Sequence, residues 1–129
     1  MLDTDIVSDV IRHPHGAVAR HFARVGETGL RLSVIAAAKL RYGAVKSGSP
    51  RLQERVDAVL ARIPVLPLAP PADAAYARIR AVLTSSGMPI GPTDLLIAAH
   101  AIAADATLVT ANLAEFARVP GLALENWLG

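Results

Sequence analysis

The chain begins Met1-Leu2-Asp3-Thr4-Asp5-Ile6-Val7, two apolar residues followed at once by two carboxylates with one residue between them. No loop fits ahead of that pair, so it lies at the end of the first structural element. In an open parallel sheet, the carboxyl ends of the strands are where ligands and chemistry collect. A carboxylate at an apolar strand end also needs a partner, because an ionised group leaves water at high cost unless paired. Asp3 is therefore the expected centre of a site on which later acidic positions converge.

The rest of the pattern decides which sheet this is. Met1 to Thr4 reads as a short strand and Asp5 to Arg12 as a helix, with Asp5 a candidate cap, before His13-Pro14-His15-Gly16 breaks it. Val18, Phe22 and Val25 recur at helical spacing. Leu30 to Val34 alternates like a strand, and Ser33 is placed to cap a helix running to about Ser47. Pro50 opens a further helix whose apolar stripe is Leu52, Val56, Val59, Leu60 and Ile63.

Pro64 to Leu68 is a short apolar strand whose prolines suit a sheet edge. Ala72 to Ser86 is helical, with Ala75, Tyr76, Ile79, Val82 and Leu83 facing inward. Thr93 to Ala104 follows, apolar on nearly every side and so a buried helix. Thr107 to Thr110 is a buried strand, Ala111 to Phe116 a short helix or turn, and Leu122 to Leu124 a last strand. Strands separated by helical patterns imply crossover connections. The expectation is one α/β domain over residues 1–129, a three-layer α/β/α arrangement with a mainly parallel central sheet.

Composition narrows the chemistry. The chain is 53% hydrophobic with only five aromatic residues, so its core is built from Ala, Leu, Val and Ile. Cysteine is absent, which excludes disulfides, thiolate catalysis and Cys-based metal sites. The net charge is only +2, but eleven of the thirteen cations are arginine. Arginine suits phosphate, so nucleic acid is permitted as a partner without being demanded. No basic segment leads into an apolar stretch and no apolar run approaches a membrane span, so a soluble cytoplasmic protein is expected. His13, His15 and His21 flank an exposed turn at Pro14 and Gly16 and read as solvated surface rather than as a metal site.

A parallel sheet brings the residues after each strand to one edge. Asp3 and Asp5 lie there after the first strand, and Asn112 after the strand ending at Thr110. Asp94 enters from the start of a buried helix, where the dipole favours an anion. Hard divalent cations such as Mg²⁺ take carboxylate oxygens and keep several waters. Carboxylates meeting at a strand edge fit that demand, although Asp94, Asn112 and Asp5 each have an ordinary role as a cap or turn residue.

Several stretches carry a resemblance. They are Leu2-Asp3-Thr4-Asp5-Ile6-Val7-Ser8, Ser33-Val34-Ile35 through Leu40-Arg41-Tyr42-Gly43, and Pro89-Ile90-Gly91-Pro92-Thr93-Asp94 through His100-Ala101. Leu108-Val109-Thr110-Ala111-Asn112 through Glu115-Phe116, and Val119-Pro120-Gly121-Leu122 through Trp127, continue it. In this order they resemble PIN-domain ribonucleases over essentially the whole chain, in particular the VapC toxins of type II toxin–antitoxin modules. The resemblance implies an endoribonuclease dependent on Mg²⁺ or Mn²⁺, with Asp3 and Asp94 as metal ligands. Asn112 matches a position that is acidic or Asn, and Thr110 a polar neighbour of the site. It also implies a VapB-like antitoxin whose tail reaches the cleft, and a homodimer or a toxin–antitoxin hetero-oligomer. The helices around Ile6–Ile11 and Val18–Val25 offer a groove for an amphipathic antitoxin helix.

One position departs from the pattern. Where the family has glutamate in a segment like Ala-Glu-Leu-Arg-Tyr-Gly, this chain has Ala38-Lys39-Leu40-Arg41-Tyr42-Gly43. With Asp3 and Asp94, the formal charge at the three positions goes from −3 in the family to −1 here. Each nearby unit charge is worth about 4 kcal/mol at roughly 4 Å and an effective dielectric near 20. A protonated lysine has no lone pair for a metal, so Lys39 is expected to weaken metal binding and cleavage. Asp5, where Asn is usual, restores some negative charge. Two rival readings stand beside this one: an Asp-x-Asp phosphatase of the haloacid-dehalogenase type using Asp3 and Asp5, and a non-catalytic module binding an antitoxin or RNA.

Overall fold

In the computed structural model, which describes residues 1–128, the sheet is parallel and its central member is a single residue. Leu2 pairs in parallel with Leu32 on one side and with Val109 on the other. Beyond Leu32, β1 (Leu32–Ser33) pairs with β2 (Val65–Leu66); beyond Val109, β3 (Leu108–Val109) pairs with β4 (Leu124–Glu125). The order across the sheet is therefore β2, β1, Leu2, β3, β4, and later strands add first on one side of Leu2 and then on the other. That reversal is a topological switch point, where a crevice opens outside the carboxyl ends of the strands.

The first strand is shorter than the four residues expected, and the cause is local. Leu2 N–H donates to Arg31 O, Asp3 N–H to Val109 O and Val109 N–H to Met1 O, each at 2.8 Å. The chain then turns at once into α1 (Thr4–Arg12), because Asp3 caps that helix: its carboxylate accepts Thr4 N–H at 2.8 Å. Asp5, the cap candidate in the sequence, is instead already helical.

The remaining helices are α2 (Ala17–Val25), α3 (Val34–Ser47), α4 (Pro50–Arg62), α5 (Ala72–Ser85), α6 (Pro92–Ala103) and the short α7 (Leu113–Phe116). Ser33 caps α3 as expected, its hydroxyl accepting Ile35 N–H at 3.1 Å. Ser49 caps α4 ahead of Pro50. α6 is buried along Leu95 and Ile97 to Ala101, and α5 packs on it. Leu2, Ile6, Val7, Leu32, Ile97, Leu108 and Phe116 belong to one continuous core.

Two residues expected inside lie outside. Val25 is 38% exposed because it is the last residue of α2, before Gly26 turns the chain at φ 79°. Val82 is 40% exposed; the buried stripe of α5 is the narrow Ala75, Ile79, Leu83 row at four-residue spacing, and Val82 lies on its flank. Among the described residues, no helix is long and apolar enough to cross a membrane.

Candidate active site

The crevice beside Leu2 is where the chain's acidic residues gather. Asp3, one residue past the sheet, is 5% exposed. Its Oδ1 is taken by the Thr4 N–H, and its Oδ2 accepts the Thr110 hydroxyl at 2.9 Å. Thr110 follows β3 and is fully buried, and its oxygen also accepts Asn112 N–H at 3.0 Å. Asp5 Oδ2 accepts Ala111 N–H at 3.0 Å. The start of α1 and the corner after β3 are thus tied together across more than a hundred residues of sequence.

Asp94 comes from the first turn of α6 and faces the same cavity. Lys39 reaches it from α3, with Nζ 3.7 Å from Asp94 Oδ1. That separation makes an ion pair but not a hydrogen bond. Asp3, Asp5, Lys39, Asp94 and Asn112 all line one cavity of about 680 Å³, whose apolar wall includes Ile11, Leu40 and Val56.

One residue of this cluster is not expected from the sequence. Glu115, on α7, accepts Gly91 N–H at 2.6 Å and the Asn112 side-chain amide at 2.7 Å. A Cβ added to Gly91 would lie 3.6 Å from Glu115 Oε1 and 3.7 Å from Asp94 Oδ2, so the two carboxylates are neighbours. The available signal was the three-residue spacing of Asn112 and Glu115, which places side chains on one face of a helical turn. Asn112 itself is exposed, and its amide is spent on orienting Glu115.

The electrostatics follow from this crowding. Burial pushes the Asp94 carboxyl up to about 6, with Glu115 and Asp3 adding to the rise and Lys39 opposing it. Glu115 is held below its usual range, first by the Gly91 N–H and also by the Asn112 amide and Arg118. Asp5 is raised by burial and by Asp3, against the hydrogen bond from Ala111. Its Oδ1 is buried with no hydrogen-bond partner among the described residues. An unmatched buried carboxylate oxygen is costly.

A divalent cation suits this donor set. Among the described residues, no three His, Cys, Asp or Glu side chains form a ready-made cage. Mg²⁺ does not need one, since it binds through one or two carboxylates and keeps several waters. His13 and His15 are exposed, as expected. His21 stacks on Trp127 at 4.9 Å between ring centroids and accepts a hydrogen bond from Arg24.

Comparison with known proteins places this arrangement. Residues 1–122 match the PIN domain family. The chain is 39% identical to Ribonuclease VapC2 of Rickettsia felis over 129 residues, covering 98% of this chain and 96% of that protein. It is 35% identical to the tRNA(fMet)-specific endonuclease VapC of Salmonella typhimurium over 128 residues, covering 98% and 96%. Among solved structures, DNA-bound VapBC from Salmonella typhimurium superposes with a TM-score of 0.93 at 35% identity, covering 98% of this chain and 96% of that one. VapBC2 from Rickettsia felis, bound to a DNA fragment from their promoter, gives 0.91 at 36% identity, with 98% and 97% covered. The Asp-x-Asp phosphatase reading has no place beside these matches. The short parallel sheet, the buried aspartate at its switch point and the similarity along the whole length make this chain a member of the PIN-domain family, in its VapC ribonuclease branch.

Proposed function

We propose that the chain is the toxin of a toxin–antitoxin module and acts as a divalent-metal-dependent endoribonuclease, with Mg²⁺ or Mn²⁺ held by Asp3 and Asp94. The observation that carries this reading is the convergence of Asp3, Asp5, Asp94 and Glu115 on the switch-point crevice, with Lys39 the ammonium against Asp94. A divalent ion held there supplies water activation and offsets charge on the scissile phosphate. The chain's own residues do the positioning. Thr110 and the Thr4 N–H fix both oxygens of Asp3, leaving its remaining lone pairs for a ligand. Asn112 and the Gly91 N–H fix Glu115 beside Asp94.

Lys39 tempers this activity. Its charge replaces part of the attraction that a metal would find, so cleavage is weaker than with a carboxylate at that position. Purified protein is to be incubated with RNA, initiator tRNA included because a relative is named for it, in Mg²⁺, in Mn²⁺ and in EDTA. Cleavage in metal, its loss in EDTA and in Asp3→Asn, and a gain in Lys39→Glu are the expected results. Metal-independent cleavage sinks the mechanism, and equal activity before and after Lys39→Glu sinks the attenuation.

The partner reading is a VapB-like antitoxin, as in the VapBC structures, with a homodimer or hetero-oligomer as the assembly. It is supported by an apolar groove of about 340 Å³ where Val10 of α1, Phe22 of α2 and Val59 of α4 meet Leu30 and Ile63. An amphipathic helix fits such a groove. Co-purification of the chain with the product of an adjacent small gene tests it.

A further inference from the structure

The chain has only two lysines, and one of them stands in the acidic crevice. The two ends of the Lys39–Asp94 pair are unequal. The Lys39 side chain is 39% exposed and that of Asp94 only 17%. A lysine ammonium is a compact charge on a flexible four-carbon stem. It can leave for water with little desolvation change, whereas Asp94 is fixed on the first turn of α6. At 3.7 Å, without a hydrogen bond, the contact is a charge contact rather than a lock.

Two other cations lie nearby. Arg12 also lines the cavity. Arg118 donates to Pro89 O at 3.1 Å on the Glu115 side. Neither forms an ion pair with Asp94 within 4 Å among the described residues, where Lys39 does. The buried Asp5 Oδ1 still lacks a hydrogen-bond partner among the described residues. The geometry is that of a site holding its own weak, tethered counter-ion.

We propose that Lys39 is a displaceable counter-ion: it neutralises Asp94 while the crevice holds no divalent ion and swings towards solvent as one enters. This rests on the metal-site reading above and adds its regulation. Ion binding becomes a competition with the chain's own ammonium, so the crevice fills only at a higher divalent-ion concentration than its carboxylates alone would require. The same ammonium protects the ion-free fold from the repulsion of Asp3, Asp94 and Glu115.

The experiment uses the full chain and Mn²⁺ alone as the probe. Calorimetric titration compares wild type with Lys39→Arg, Lys39→Gln and Lys39→Glu. An opposite charge at this range shifts a carboxylate's affinity for a proton by roughly one to three pKa units. Removal of the lysine charge is accordingly expected to tighten Mn²⁺ binding by roughly tenfold or more. Lys39→Glu tightens it further, and Lys39→Arg stays close to wild type. In EDTA, Lys39→Gln is expected to melt below wild type and Lys39→Arg not to.

A second measurement needs no variant. Labelling of wild type with a lysine-acylating reagent, read by mass spectrometry with Lys46 as internal reference, is expected to rise at Lys39 when Mn²⁺ is added. Equal Mn²⁺ affinity in wild type and Lys39→Gln, with Lys39 labelling unchanged by Mn²⁺, overturns the displacement alone. No Mn²⁺ binding in any of the four proteins overturns the metal-site reading itself, and the displacement with it.

Discussion

Thr110 and Asp3, 107 residues apart, share a buried hydrogen bond of 2.9 Å from the threonine hydroxyl to Asp3 Oδ2. Thr110 Oγ1 also accepts Asn112 N–H, so one side chain both aims the central carboxylate and shapes the corner into α7. Thr110→Val keeps the shape and removes both bonds. Leaving buried polar groups unpaired costs about 1–3 kcal/mol. Urea unfolding is expected to show a loss of about 2 kcal/mol for Thr110→Val. Thr110→Ser, which keeps the hydroxyl, is expected to lose less. RNA cleavage by the valine variant is expected to fall further than its stability explains, because Asp3 is no longer held.

Much of the scaffold was legible because its signals are local. Ser33 sits where a cap is needed, Pro50 opens its helix, and the all-round apolar run of α6 can only be buried. The strands were legible in position but not in extent. Leu2 is a strand of one residue because Asp3 begins capping a helix immediately after it. Within the crevice, Asp3, Thr110, Asp94 and Lys39 were identified from the sequence and do lie together. Glu115 was not, since its approach to Asp94 depends on how α7 folds back onto the loop at Gly91. That closure is a tertiary event with no sequence period of its own.

Among the described residues, Leu2 alone pairs with both halves of the sheet, and it is 1% exposed. Leu2→Ala leaves the backbone bridges possible but opens a cavity at the centre of the core. Such truncations cost about 2–5 kcal/mol. The expected result is a loss in that range by chemical denaturation, with a larger drop than for the exposed Val82→Ala. A loss equal to that of Val82→Ala would falsify the central place given to Leu2.

Ser33 and His100 make the second buried polar link, with 2.8 Å between Oγ and Nδ1. Ser33 Oγ also accepts Ile35 N–H, so one hydroxyl serves both the α3 cap and the buried imidazole. Burial lowers the His100 pKa from 6.5. The unfolded chain therefore binds a proton more readily than the folded one. This contribution to stability is complete above 6.5 and is lost as pH falls from there towards the folded pKa. Melting temperatures at pH 7.5 and 5 are expected to fall more for wild type than for His100→Gln, whose side chain does not titrate. Ser33→Ala removes a cap and a buried partner together and is expected to cost about 2 kcal/mol.

Asp94 is the reverse case, an acid whose pKa is raised from 3.8 to about 6 by burial and by Glu115 despite the nearby Lys39. The folded chain binds this proton more readily than the unfolded one. Ionised Asp94 therefore works against the fold, with the cost growing as pH rises from about 4 and complete above about 6. Asp94→Asn keeps the size and removes the charge that crowds Glu115 and Asp3. In EDTA at pH 7.5 it is expected to melt above wild type, and at pH 4 the two are expected to converge. RNA cleavage by Asp94→Asn is expected to be lost, and addition of Mn²⁺ to stabilise wild type but not the variant. A site that stabilises the chain when its carboxylate is neutralised and disables it at the same time is one shaped for a cation rather than for the fold. A lower melting temperature for Asp94→Asn in EDTA would show instead that attraction to Lys39 outweighs repulsion from Glu115 and Asp3.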